Sequence, residues 1–152
     1  MQQTIEKDDV LKVGKYTLAS RLILGSGKYK TLDIMKDCLE ISGTGMVTVA
    51  IRRVNLEDRS ERSFWNYIPK NILILPNTAG CYNLEDTLRT ARLARELCQT
   101  DLIKLEVLGD TKTLLPDPVA TLQATEKLVA DGFQVLCYTT DDPITARRLN
   151  AP

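Results

Sequence analysis

The run Leu102-Ile-Lys-Leu-Glu-Val-Leu places two ionisable side chains, Lys104 and Glu106, two residues apart among apolar neighbours. In a β-strand successive side chains point to opposite faces. Ile103, Leu105 and Val107 then form one wholly apolar face, and Lys104 and Glu106 share the other. Strands buried on both sides usually read as unbroken apolar runs, so two charges on an inward face need an account. One account is structural: a buried ion pair that contributes little net stability. The other is chemical. Desolvation disfavours an ammonium, the neutral amine attacks ketones, and a neighbouring carboxylate can shuttle protons through loss of water and tautomerisation. Spacing alone leaves both open.

Other chemistry is excluded or less marked. The chain has no histidine, which removes Ser-His-Asp triads, Cys-His dyads and His-ligated metal sites within it. Cys38, Cys81, Cys98 and Cys137 are widely separated with no Cys-x-x-Cys pair, so free thiols are expected rather than a metal site or a disulfide scaffold. Arg52 and Arg53 follow an apolar run and can meet a substrate phosphate. By strand alternation Arg52 shares the face of the small residues Thr48 and Ala50, which makes it the candidate; a pairing with a loop carboxylate is the plainer role. Of the acidic pair Asp141-Asp142, Asp142 precedes a proline as a helix cap does, leaving Asp141 as the candidate site residue. Arg89, Arg92 and Arg95 recur at helical spacing and read as a solvated face.

These residues need a frame. Apolar, β-branched runs at 21–24, 46–51, 71–75, 102–108 and 134–139 alternate with helical periods at 32–41, 84–98, 118–130 and 143–149. Asp117-Pro118 and Asp142-Pro143 each supply an N-cap acceptor and a proline at the first helical position. Thr31 and Asn83 can cap the other two helices, and Gly43 and Gly132 stand where left-handed stops belong. Residues 11–19 alternate around a glycine as a short hairpin. The connection over 52–68 is less regular, a loop with one short helix. Strand–helix alternation implies parallel strands joined by right-handed crossovers, with active sites at the carboxyl ends of the strands. Polar and glycine-rich residues follow each of the five runs, as one rim of a barrel site requires.

Lys plus Arg and Asp plus Glu each total 20 among 152 residues, giving no net charge. That balance gives no support to nucleic-acid or membrane-surface binding. No segment approaches about 20 consecutive apolar residues. The acidic, polar start lacks an apolar signal core, so residues 1–10 are expected to be a flexible N-terminus and the location cytosolic.

Six strings carry a specific resemblance: Leu22-Ile-Leu-Gly-Ser-Gly-Lys-Tyr, Val47-Thr-Val-Ala-Ile-Arg-Arg-Val-Asn, Leu75-Pro-Asn-Thr-Ala-Gly-Cys-Tyr, Ile103-Lys-Leu-Glu-Val-Leu-Gly-Asp, Leu114-Leu-Pro-Asp-Pro and Tyr138-Thr-Thr-Asp-Asp-Pro. In order and spacing, from about residue 11 to 149, they resemble the successive signatures of bacterial and plastid thiazole synthases. The resemblance implies a (β/α)8 TIM barrel. It implies that 1-deoxy-D-xylulose 5-phosphate, dehydroglycine and sulfur from the C-terminal thiocarboxylate of a carrier protein are joined into the thiazole phosphate of thiamin. It also implies that Lys104 forms the imine with the ketone sugar, that Glu106 is the carboxylate beside it, and that no metal or organic cofactor takes part. Further copies of the chain are expected partners.

A barrel of this kind has eight strands, and five are legible here, so residues 11–152 are expected to form a partial barrel lacking its C-terminal half: a fragment or a disrupted reading frame. The phosphate-binding loops belong to the missing half. Two rival readings are another Schiff-base lysine barrel of the aldolase type, and a non-catalytic half-barrel that binds the sulfur carrier or an intact subunit.

Overall fold

A computed structural model describes residues 10–55, 58 and 60–151; the expected flexible segment 1–10 lies outside these but for its last residue. The chain folds as two compact units, residues 1–48 with 55–73, and residues 49–54 with 74–152.

The first unit opens with the expected hairpin. Strands β1 (Leu11–Val13) and β2 (Tyr16–Leu18) pair antiparallel, Leu11 opposite Leu18. Strand β3 (Ile23–Gly25) then pairs in parallel with the start of β4 (Met46–Ala50), Ile23 opposite Met46 and Gly25 opposite Thr48. Between them runs helix α1 (Leu32–Ser42), capped by the Thr31 hydroxyl, which accepts from the Ile34 amide at 3.2 Å. Its apolar stripe buries Met35 and Leu39. The helix stops at Gly43, whose φ of 64° is the left-handed conformation that glycine reaches without a Cβ penalty. A single 3-10 turn, Phe64–Tyr67, falls in the irregular connection.

The second unit begins with another 3-10 turn, Ile51–Arg53. It continues with the body of β5 (Leu73–Asn77), helix α2 (Leu84–Cys98), β6 (Leu102–Leu105), α3 (Pro118–Ala130), β7 (Gln134–Cys137) and α4 (Pro143–Leu149). Strands β5, β6 and β7 are parallel neighbours, with Asn77 opposite Lys104 and Lys104 opposite Leu136. Helices α2 and α3 pack on β6 and on each other. Both bury small residues, Ala91 and Ala94 on α2 and Ala124 on α3. Both Asp-Pro starts work as caps: Asp117 Oδ1 accepts from Val119 and Ala120 amides at 2.9 Å, and Asp142 from Ile144 and Thr145 amides at 3.0 Å. Parallel strands alternating with helices establish the α/β class. Among the described residues no helix is long and apolar enough to cross a membrane.

Four strands differ in their limits from the sequence expectation. Strands β3 and β5 start two residues later than the apolar runs, because turns occupy the approach: the Leu22 amide donates to the Ser20 hydroxyl and the Ile72 amide to the Pro69 carbonyl. Strand β4 ends at Ala50 and coils into the 3-10 turn, so the alternation that singled out Arg52 does not extend to it. Strand β6 stops at Leu105 rather than at 108, since the next three residues bond outside the ladder. The arginine stripe of α2 is also less free than expected. Arg92 pairs with Asp131 at 2.8 Å, while Arg95 donates to the Asp131 carbonyl and lies 4.2 Å over the Phe133 ring.

Candidate functional site

The carboxyl end of β6 carries the pair that the sequence singled out. Ile103, Leu105 and Val107 are fully buried, forming the apolar face. On the opposite side Lys104 Nζ lies 3.1 Å from Glu106 Oε1, with the lysine side chain 36% exposed and the glutamate 14%. The amine is therefore only partly desolvated. A carboxylate at hydrogen-bond distance is placed to take its proton and to return one to a departing hydroxyl.

Glu106 is held by a residue the sequence reading passed over. The Thr78 hydroxyl, fully buried, donates to the Glu106 carbonyl and accepts from the Glu106 amide, both at 2.8 Å. The Thr78 amide also donates to the Lys104 carbonyl at 3.2 Å. One threonine thus grips the backbone at both ionisable residues just where the ladder ends. Beyond it, Leu108 donates to the Cys81 carbonyl and Asp117 to the Val107 carbonyl. Gly109 faces Asp117 so closely that a Cβ there would sit 3.3 Å from its backbone, tighter than ordinary van der Waals contact, so a side chain would push the two segments apart by a few tenths of an ångström.

The two arginines part company. Arg52 Nη1 donates to the Gly80 carbonyl at 3.1 Å and meets Cys81 Sγ at 3.6 Å; the hydrogen bond to that sulfur raises the guanidinium further above its ordinary value. Arg53, with Tyr82, Glu106, Leu108 and Tyr138, lines a cavity of about 210 Å³. Tyr138 also braces this wall, donating from its hydroxyl to the Leu114 carbonyl at 3.2 Å. Asp141 is exposed and does not line the cavity, while Asp142 caps α4, its carboxyl held below the usual range first by the Thr145 hydroxyl. Cys81 is buried against Thr90. Burial pushes the Cys98 thiol up to about 11.

Parallel strands with helical crossovers define an α/β protein, with an amine and a carboxylate paired at the carboxyl end of one strand. The family is given by comparison: the model of the thiazole biosynthesis protein ThiG matches residues 12–151, and the chain belongs to that TIM-barrel family. It is 56% identical over 142 residues to the thiazole synthase of Sorangium cellulosum, covering 93% of this chain and 55% of that protein. To the thiazole synthase of Rhodopirellula baltica it is 52% identical over 149 residues, covering 93% and 52%. The chain thus spans about half the length of the curated relatives it matches. Among solved structures it is similar to the Amycolatopsis orientalis BexX/CysO complex, with a TM-score of 0.75, 26% identity, and coverage of 92% of this chain and 57% of that one.

Proposed function

We propose that this chain carries the imine-forming half of a thiazole synthase site. In this reading 1-deoxy-D-xylulose 5-phosphate, dehydroglycine and sulfur from a thiocarboxylated carrier protein become a thiazole phosphate carboxylate. The observation that carries the reading is Lys104 Nζ at 3.1 Å from Glu106 Oε1 above a fully buried apolar face. Glu106 takes a proton from Lys104, and the free amine attacks the C2 ketone of the sugar. The carbinolamine loses water as Glu106 returns the proton. The iminium nitrogen then acts as an electron sink, so that a proton leaves C3 and tautomerisation moves the carbonyl along the chain. The rearranged ketone takes the thiocarboxylate sulfur and passes its oxygen to the carrier's acyl group, which leaves as a carboxylate; the dehydroglycine nitrogen displaces Lys104 while its carbon joins the sulfur, and ring formation loses a further water. A carrier-protein partner is supported by the structural neighbour, itself solved as a complex of two proteins. Arg52 and Asp141 remain proposed substrate contacts, with Arg52 already committed to the loop after β5. Cytoplasmic location and assembly with further copies belong to the same reading.

The test is trapping. The protein is incubated with the sugar phosphate, reduced with borohydride and mapped by peptide mass. An adduct on Lys104 is expected in the native chain and absent from Lys104→Arg. An adduct on another lysine, or none, refutes the assignment, and labelling by simple aldolase substrates instead points to an aldolase-type barrel.

A further inference from the structure

Lys104 and Glu106 account for imine chemistry, but a cation beside them has no part in it. Arg52 and Arg53 are consecutive on one 3-10 turn, and only Arg52 is tied down, to Gly80 and Cys81. Arg53 lines the cavity that Glu106 also lines. Among the described residues its guanidinium makes no hydrogen bond or ion pair, even though a carboxylate shares the same wall. A planar guanidinium left open on a cavity wall is a receptor for a carboxylate or phosphate, which it can grip through two parallel N–H donors.

The other wall narrows the choice. Glu106 engages Lys104 through Oε1, and a carboxylate has further lone pairs on its second oxygen. The cavity therefore offers an anion receptor and an N–H acceptor in one space, the pattern that complements a small acid with nitrogen next to its carboxylate. Its volume, about 210 Å³, is several times the roughly 30 Å³ that one water occupies in the liquid, ample for a two-carbon acid.

We propose that Arg53 receives the carboxylate of dehydroglycine while the free oxygen of Glu106 accepts its imine N–H. The proposal rests on the thiazole-forming reading and assigns one of its substrates a place. It sets the imino acid beside the carbon chain held on Lys104, where condensation must occur. No bond is made or broken in this binding step.

The probe is glycine, the saturated analogue, titrated into the full chain and followed by NMR chemical shifts, with N-acetylglycine (standing for a carrier C-terminus) and inorganic phosphate in parallel. Arg53→Gln is expected to weaken glycine at least tenfold and leave the borohydride-trapped Lys104 adduct unchanged, while Arg89→Gln, on the exposed face of α2 and away from the cavity, keeps glycine affinity. Far-UV circular dichroism checks that both variants fold. The proposal is overturned if Arg53→Gln binds glycine like the parent, if Arg89→Gln loses it equally, if only N-acetylglycine or phosphate responds, or if the parent binds no glycine. Absence of the Lys104 adduct in the parent sinks the thiazole-forming reading instead, so the two failures are separable.

Discussion

Replacing Thr78 with valine keeps the shape of a fully buried side chain and deletes only the hydroxyl that grips Glu106. Two hydrogen bonds of 2.8 Å disappear, one to the Glu106 amide and one to its carbonyl. Each is worth about 1 kcal/mol net, and a backbone group left unsatisfied costs about 1–3 kcal/mol. A loss of roughly 2–4 kcal/mol follows. With a urea slope of about 2 kcal/mol per molar, the unfolding midpoint falls by about 1–2 M. Thr78→Ser retains the hydroxyl and removes one buried methyl, at about 1 kcal/mol. The pair of variants therefore isolates the hydroxyl. If the valine chain unfolds at or above the midpoint of the serine chain, the clasp contributes nothing and the reasoning fails. A second readout separates positioning from mere stability. With the protein folded in buffer, Thr78→Val slows borohydride-trapped adduct formation about tenfold, a fraction of the roughly 10²–10⁴ that a placed acid–base group supplies. Thr78→Ser restores the rate. Equal rates in all three chains would show that Glu106 needs no such support.

Three further outcomes are expected. Asp117→Ala, which strips the cap of α3, lowers stability by about 1 kcal/mol and the melting temperature by about 2–4 °C, whereas Asp117→Asn keeps most of it; calorimetry distinguishes them. Lys104→Arg melts with the parent, since a cation still meets Glu106, yet yields no trapped adduct. Cys98, raised by burial from 9.0 to about 11, is thiolate in only about one molecule per thousand at pH 8, against about one in ten for an unperturbed thiol. Iodoacetamide labelling followed by mass spectrometry should show it reacting about a hundredfold more slowly than a free cysteine. Because the folded thiol resists ionising, its contribution to stability is whole below pH 9 and declines as pH rises towards 11.

Helix limits were the most legible feature, because their signals are local. Asp117-Pro118 and Asp142-Pro143 fix the starts of α3 and α4, and Gly43 with φ 64° and Gly132 with φ 85° follow α1 and α3. Each is a backbone requirement that one or two residues satisfy alone. Strand limits are set by partners. Apolar runs mark which residues prefer extended backbone, but the ladder begins where a neighbour offers donors and acceptors. Residues 106–108 have the composition of strand and spend their backbone groups on Thr78, Cys81 and Asp117 instead.

The same distinction governs the site. Period-two alternation put Lys104 and Glu106 on one face because a charge within an apolar strand is conspicuous, and the 3.1 Å contact follows directly from that spacing. Alternation singles out Arg52 only if it runs two residues past the end of β4, where a 3-10 turn replaces the period of two and sends consecutive arginines to different surroundings. Thr78 had no pattern to betray it: a hydroxyl that replaces a missing ladder rung looks, in sequence, like any threonine after a strand. What could have drawn attention is its position. Asn77, the last residue of β5, lies opposite Lys104, so the residue that follows it faces the gap where the chain leaves β6 towards Glu106. A polar side chain there must either close the gap or leave backbone groups buried without partners. Register, once known, therefore finds the residue that composition hides: Thr78 fixes the backbone that carries Lys104 and Glu106.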